Sequence, residues 1–165
     1  MDTAQAIMDA AERRIRSAGY SGFSFREIAD EIGIKSASVH YHFPTKEALA
    51  AAVTRRYNDR IAASIDAQIA AGTAPVEAWR HVFRAALADG ARMCLCGALG
   101  VTSGDLSEEV AAEVRRFFTY GVDKLKAGGL SEARAMQVLA TLEGAILIAS
   151  VRSDPAFFDL STSDL

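Results

Sequence analysis

Apolar positions recur with helical spacing along almost the whole chain, and the breaks between runs divide it into segments. The first run, from about Thr3 to Ala18, puts Ile7, Met8, Ala11 and Ile15 on one stripe and stops at Gly19. Arg13, Arg14 and Arg16 fall on the other, solvated side. A second run begins after Ser24, whose pairing with Glu27 reads as a capping box: the hydroxyl takes a backbone N–H and the carboxylate reaches back to the cap residue. Phe25, Ile28, Ala29 and Ile32 then follow at i, i+3, i+4 and i+7, and Gly33 supplies the left-handed backbone that ends the helix. Ser36 is expected to cap a third helix of about two turns, which Pro44 closes because proline disfavours helix at the residue before it. Helix, glycine turn and short helix make the helix-turn-helix pattern.

The helix that opens at Lys46 has a different rhythm. Leu49, Val53, Tyr57, Ile61, Ile65 and Ile69 recur every four residues, and each such step overshoots a full turn by about 40°. Five steps rotate the stripe by roughly 200°, so its two ends bury nearly opposite sides. That suits a lever shared by two bodies, with Asn58, Asp59 and Arg60 at the crossover; the alternative is a curved helix around one core. After Gly72 to Pro75 a further helix carries Val76, Trp79, Phe83, Ala86, Leu87 and Gly90 inward, with His81 on the surface beside Glu77 and Arg84. Met93 to Val101 is short, apolar and expected to be buried. Ser107 caps the next stripe, Val110, Val114, Phe117, Phe118, Gly121, Val122 and Leu125, which Gly128-Gly129 closes. Ser131 caps a last helix, apolar around more than one face from Met136 to Val151, which therefore needs covering on two sides. No run alternates for long with β-branched residues, so the fold class is all-α: an N-terminal three-helix helix-turn-helix domain and a C-terminal helical domain.

Composition narrows this picture. A chain of 165 residues, half of them hydrophobic, supports at most two compact units, read as residues 1–56 and 57–165. Net charge is −3, yet residues 35 to 60 hold five Lys/Arg against two Asp/Glu. The N-terminus has no signal-peptide pattern and no window approaches a continuous membrane-length apolar run, so the expected location is the cytoplasm, with no membrane partner. Cys94 and Cys96, two apart, point about 200° from each other on a helix, poorly placed for a disulfide or a shared metal. They read as small buried hydrophobes; the alternative is an electrophile or oxidant sensor with Arg92 lowering a thiol pKa. No nucleophile with a base, metal set or paired carboxylates points to an enzyme, a cofactor or a metal.

The chemistry gathers on the short third helix. Lys35, Ser36, Ser38, His40, Tyr41 and His42, with Thr45 and Lys46 beyond, are donors or cations, and Val39 and Phe43 are the only large apolar anchors. Insertion into a DNA groove is the use such a surface has. Gly19-Tyr20-Ser21-Gly22, Ile28-Ala29, Gly33-Ile34, Val39-His40-Tyr41-His42-Phe43 and Lys46-Glu47-Ala48-Leu49 together resemble the DNA-binding domain of the tetracycline-repressor (TetR) family of bacterial transcriptional regulators. His40 stands where many members carry Tyr, so the operator half-site is not transferable from relatives. The resemblance covers about the first sixty residues. It implies operator contacts from Ser24, Arg26, Lys35, Ser36, Ala37, Ser38, His40, Tyr41, His42 and Lys46, on double-stranded DNA with a pseudo-palindromic site. It further implies a small apolar or aromatic effector among Trp79, Phe83, Met93, Cys94, Phe117, Phe118 and Tyr120, residues that equally suit a plain core. A homodimer interface is implied on the last two long helices, with Val114, Val122, Leu139, Leu142 and Ile146. The expected function is a ligand-released repressor; the alternatives are the thiol sensor and an effector-independent architectural DNA-binding dimer.

Overall fold

Capping residues set the helix boundaries. The computed structural model describes residues 2–88, 90 and 92–165, and among these the chain forms nine α-helices and no strand. The Asp2 carboxylate caps α1 (Thr3–Ala18), accepting from the Ala4 N–H at 3.3 Å, and Gly19 closes it at φ 71°. In α2 (Phe25–Ile32) the Ser24 hydroxyl accepts from the Glu27 N–H at 3.3 Å and donates to its carboxylate at 2.8 Å. Gly33 ends α2 in the left-handed region, φ 72°. The cap of α3 (Ser36–His42) is Lys35, one residue earlier than the serine expected there. The Ile34 N–H returns to the Ala29 carbonyl, and this leaves Lys35 extended, so Ser36 is already helical.

α4 (Lys46–Ala70) is one unbroken helix of 25 residues, and Pro75 opens α5 (Pro75–Ala88). α6 (Leu95–Gly100), α7 (Glu108–Ala127), α8 (Glu132–Arg152) and α9 (Ala156–Ser161) complete the chain. α9 has no counterpart in the sequence reading. Ser107 precedes α7, but its buried hydroxyl has no hydrogen-bond partner, and only its carbonyl joins the helix.

The contacts group into two compact units, residues 1–57 with 95–114, and residues 58–94 with 115–165. The segment 95–114 thus packs with the helix-turn-helix, although it lies far along the chain. Within the first unit α1 packs on α2, α3 and α6, and buries Ile7, Ala10, Ala11 and Ile15. Arg16, expected in solvent, is only 6% exposed and faces Glu12 at 4.0 Å; Arg56 bridges Glu12 at 3.1 Å and Asp9 at 2.8 Å. These charges are tolerated because they are paired. On the outer side Arg13 and Arg14 both hold Glu31 at 2.7 Å, and their hydrogen bonds keep its carboxyl below the usual range. Gly22 is forced by packing, since a Cβ there would overlap that of Ala18.

Within the second unit α8 lies against α5 and α9. Ala78 and Val82 join Trp79, Phe83 and Leu87 in the core, whereas Gly90, expected inside, is exposed. α7 meets the same core at Gly121, where a Cβ would come within 2.9 Å of a Leu139 methyl and 3.2 Å of the Trp79 ring. Along α8, Glu143 stands one turn after Leu139 with both carboxylate oxygens buried and the Cys94 thiol beside them. Burial pushes this carboxyl up to about 7, and the Cys94 thiol offsets the effect only in part.

Two expectations follow. Gly22→Ala should destabilise the protein by about 1–3 kcal/mol in urea denaturation, as overpacking does. Glu143 has a folded pKa, about 7, above its ordinary value of 4.5, so it destabilises the fold progressively as pH rises between those values. Glu143→Gln should therefore be the more stable protein above neutral pH, by on the order of 3 kcal/mol, and denaturation at stepped pH should show that advantage vanish towards the unfolded carboxylate range.

Candidate functional site

The short α3 is anchored by Val39, which is fully buried, with half-buried Phe43 just past its end. Around that anchor Lys35, Ala37, His40 and Tyr41 are exposed, Tyr41 at 86%, while Ser36, Ser38 and His42 are half-buried. Ser24 and Arg26, at the start of α2, are exposed. The His40 ring lies edge-on to Phe25 at 4.6 Å, and Tyr41 edge-on to His42 at 5.3 Å, so the reading side chains are braced by one another.

Lys46 has a more specific setting than sequence reasoning found. Its ammonium sits 4.8 Å from the centre of the Tyr20 ring and 4.5 Å from that of Phe23, a cation–π seat at the start of α4. Burial lowers its pKa, against the opposing pull of Glu47 and Glu27. The Tyr20 hydroxyl in turn donates to the Glu47 carboxylate at 3.3 Å. The Gly-Tyr-x-Gly-Phe segment is therefore the platform for a cation, a role that needs the tertiary structure to become visible. Arg13 and Arg14 are occupied by Glu31, so the exposed cations of α2 and the start of α3 are Arg26 and Lys35, and Lys46 stands half-buried on its aromatic seat. A short helix held by one buried valine, with hydroxyls, imidazoles and cations outward, has the form of a groove-reading element.

In the second unit the expected effector residues form one aromatic cluster. Trp79 contacts Phe83 at 6.1 Å, Phe117 at 5.7 Å and Tyr120 at 6.1 Å, and Phe117 contacts Phe118 at 5.3 Å. Trp79, Phe83 and Phe117 are buried, as is Cys94; Met93, Phe118 and Tyr120 are half-buried. The Tyr120 hydroxyl is committed to Asp66 at 2.9 Å and to the Ala62 carbonyl, and burial with the Asp66 charge raises its pKa. Glu143 was not singled out from sequence, although a signal exists: it is the one charge between Arg134 and Arg152. Cys94 precedes α6 and Cys96 lies within it; both are buried and neither is in a disulfide.

The residues expected at a dimer interface are placed differently. Leu139, Leu142 and Ile146 are buried within the protomer, on the stripe of α8 that the core consumes; Val114 is buried in the first unit, and Val122 is half-buried. The face of α8 left outward carries Met136, Leu147, Ile148 and Val151, exposed at 48–76%. α8 is long and apolar enough to cross a membrane by length and composition, with 39% of its apolar window buried in the protomer.

Comparison with known proteins gives this geometry a context. Residues 7–53 match the family model described as bacterial regulatory proteins, tetR family. A TetR transcriptional regulator from Legionella pneumophila is 31% identical, with 99% of this chain and 95% of that one covered and a TM-score of 0.88. A TetR-family regulator from Agrobacterium tumefaciens is 29% identical, covering 97% and 93%, also at 0.88. A regulatory protein TetR from Rhodobacter sphaeroides, 24% identical over 96% and 94% at 0.83, shares the fold. No curated protein matches the chain. Likeness along nearly the full length, with the helix-turn-helix matched at its expected place, makes the chain a member of the TetR family of bacterial regulatory proteins, DNA-binding regulators of transcription.

Proposed function

We propose that the protein is a homodimeric, effector-released repressor of the cytoplasm, with residues 1–56 reading a pseudo-palindromic operator and residues 57–165 sensing and dimerising. The observation that carries this reading is α4. It is a single helix whose first turns hold Lys46 and Leu49 and whose later turns offer Ala62 and Asp66 to Tyr120 of the aromatic cluster. An effector that binds one arrangement of that cluster better than the other biases the setting of α4, and only this differential affinity drives release. Recognition rests on Ser24, Arg26, Lys35, Ser36, Ala37, Ser38, His40, Tyr41, His42 and Lys46, divided between phosphate and base contacts.

For the dimer, the inward use of Leu139, Leu142 and Ile146 moves our assignment to the outward stripe of Met136, Leu147, Ile148 and Val151. An apolar stripe on a long helix finds its cover in the same stripe of a second copy, related by a two-fold axis. We read α8 accordingly as a helix of the dimer and not of a membrane. The thiol-sensor alternative is disfavoured, because a carboxyl beside the buried Cys94 opposes formation of a thiolate.

Lys35→Ala and Lys46→Ala should each weaken binding to all DNA sequences alike and lower the slope of log affinity against log salt by about one. Ser38→Ala and Tyr41→Phe should instead change which promoter fragments are retained. Matching losses from both pairs on every sequence would refute this division of labour. Leu147→Glu combined with Ile148→Arg should give monomers by light scattering and poor operator binding, with half-sites in the wild-type footprint about one helical turn, 34–36 Å, or a multiple apart. A wild-type monomer at micromolar concentration would count against the dimer.

A further inference from the structure

Lys46 is held by rings and not by an acid. Its ammonium stands 4.5 Å from the centre of the Phe23 ring and 4.8 Å from that of Tyr20, and the two rings meet edge to face at 6.2 Å. Among the described residues no carboxylate pairs with it, although Glu47 and Glu27 act on its charge. Both acids are committed elsewhere. Glu27 accepts from the Ser24 hydroxyl at 2.8 Å and faces Arg14 at 3.5 Å. Glu47 is held by its own backbone N–H and by the hydroxyls of Thr45 and Tyr20, the last at 3.3 Å. These hydrogen bonds keep both carboxyls below their usual range, charged but turned to other donors. Arg13 and Arg14 show the opposite arrangement, each bound to Glu31 at 2.7 Å.

We infer that Tyr20 and Phe23 are positioning residues of the DNA interface: their ring faces hold the Lys46 ammonium clear of ion pairs, so that its charge and N–H donors are left for a backbone phosphate. The inference rests on the reading of Lys46 as a phosphate contact. A carboxylate partner would orient the lysine as well, but it would neutralise the charge, and a phosphate would have to displace it. A ring face attracts the ammonium without cancelling its charge. The flexible lysine stem loses rotamer freedom on binding, and a seat that orders it beforehand removes that cost from the DNA complex. Burial lowers the Lys46 pKa against the pull of Glu47 and Glu27, which agrees with an ammonium seated on carbon with no acid in bonding contact. Tyr20 and Phe23 lie between α1 and α2, so they fix where the first residue of α4 presents its charge beside the reading helices.

The test needs no operator, because phosphate contacts are made without regard to sequence: the full chain is titrated with a short mixed-sequence DNA duplex at stepped salt. Lys46→Ala should lower the salt slope by about one. Tyr20→Leu and Phe23→Leu should each weaken binding by about three- to fivefold, the loss to which an exposed cation–π contact converts. In a Lys46→Ala background the same two changes should cost less than about 1.5-fold. Tyr20→Phe keeps the ring, and Thr45 still holds Glu47, so it should bind within about 1.5-fold of the wild type. In carbon–proton NMR spectra of the four lysines, the Lys46 ε-methylene protons should be shielded by the rings, keep that shift in Tyr20→Phe and lose part of it in each Leu variant. Circular dichroism melts establish that each variant is folded at the assay temperature. Tyr20 is only half-buried, so Tyr20→Leu carries the test should loss of the buried Phe23 unfold the chain. Equal losses with and without Lys46 would make the rings merely structural and overturn the inference. Leu variants that bind like the wild type while Lys46→Ala lowers the slope would overturn it too, and leave the phosphate reading standing. An undiminished slope in Lys46→Ala would remove that reading and the role of the seat together.

Discussion

The architecture depends on one helix having to bury opposite sides at its two ends. With 3.6 residues per turn, a four-residue repeat cannot stay on one face, and the stripe of α4 turns as it climbs. Leu49, Val53 and Tyr57 belong to the first unit, Ile61 and Ile65 to the second, and all five are buried. The border between units falls between Tyr57 and Asn58, where the rotating stripe crosses over. Of the three polar residues there, Asn58 is buried at 5% exposure, while Asp59 and Arg60 are exposed.

Helix ends and apolar stripes were legible because caps and periodicity are local. Ser24, Gly33, Pro75 and Ser131 act through neighbours a few residues away, so their roles can be read without the fold. What failed to show were roles created by distant partners. Arg16 has the spacing of a solvated residue, yet Glu12 and the arrival of α4 with Arg56 enclose that side of α1. Lys46 read as an operator contact, and the rings beneath it come from a segment more than twenty residues earlier. The packing of residues 95–114 with the N-terminal helices has no periodic signature at all.

The last long helix shows the limit most clearly. From Met136 to Val151 it is apolar on nearly every side, and periodicity alone cannot decide which stripe the monomer uses. The core takes the side with Leu139, Leu142 and Ile146, leaving Met136, Leu147 and Val151 outward. Between the two sides runs the flank with Glu143, and its position there explains a choice that neither stripe would explain. On the outward stripe an acid would be hydrated in the protomer; deep in the inner stripe it would find only methyl groups. On the flank it is buried enough to be costly, and the Cys94 thiol offsets that cost only in part. A core selected for stability alone would carry Leu or Gln at that position. An acid at that position therefore runs against the stability of the same helix that presents the outward apolar stripe.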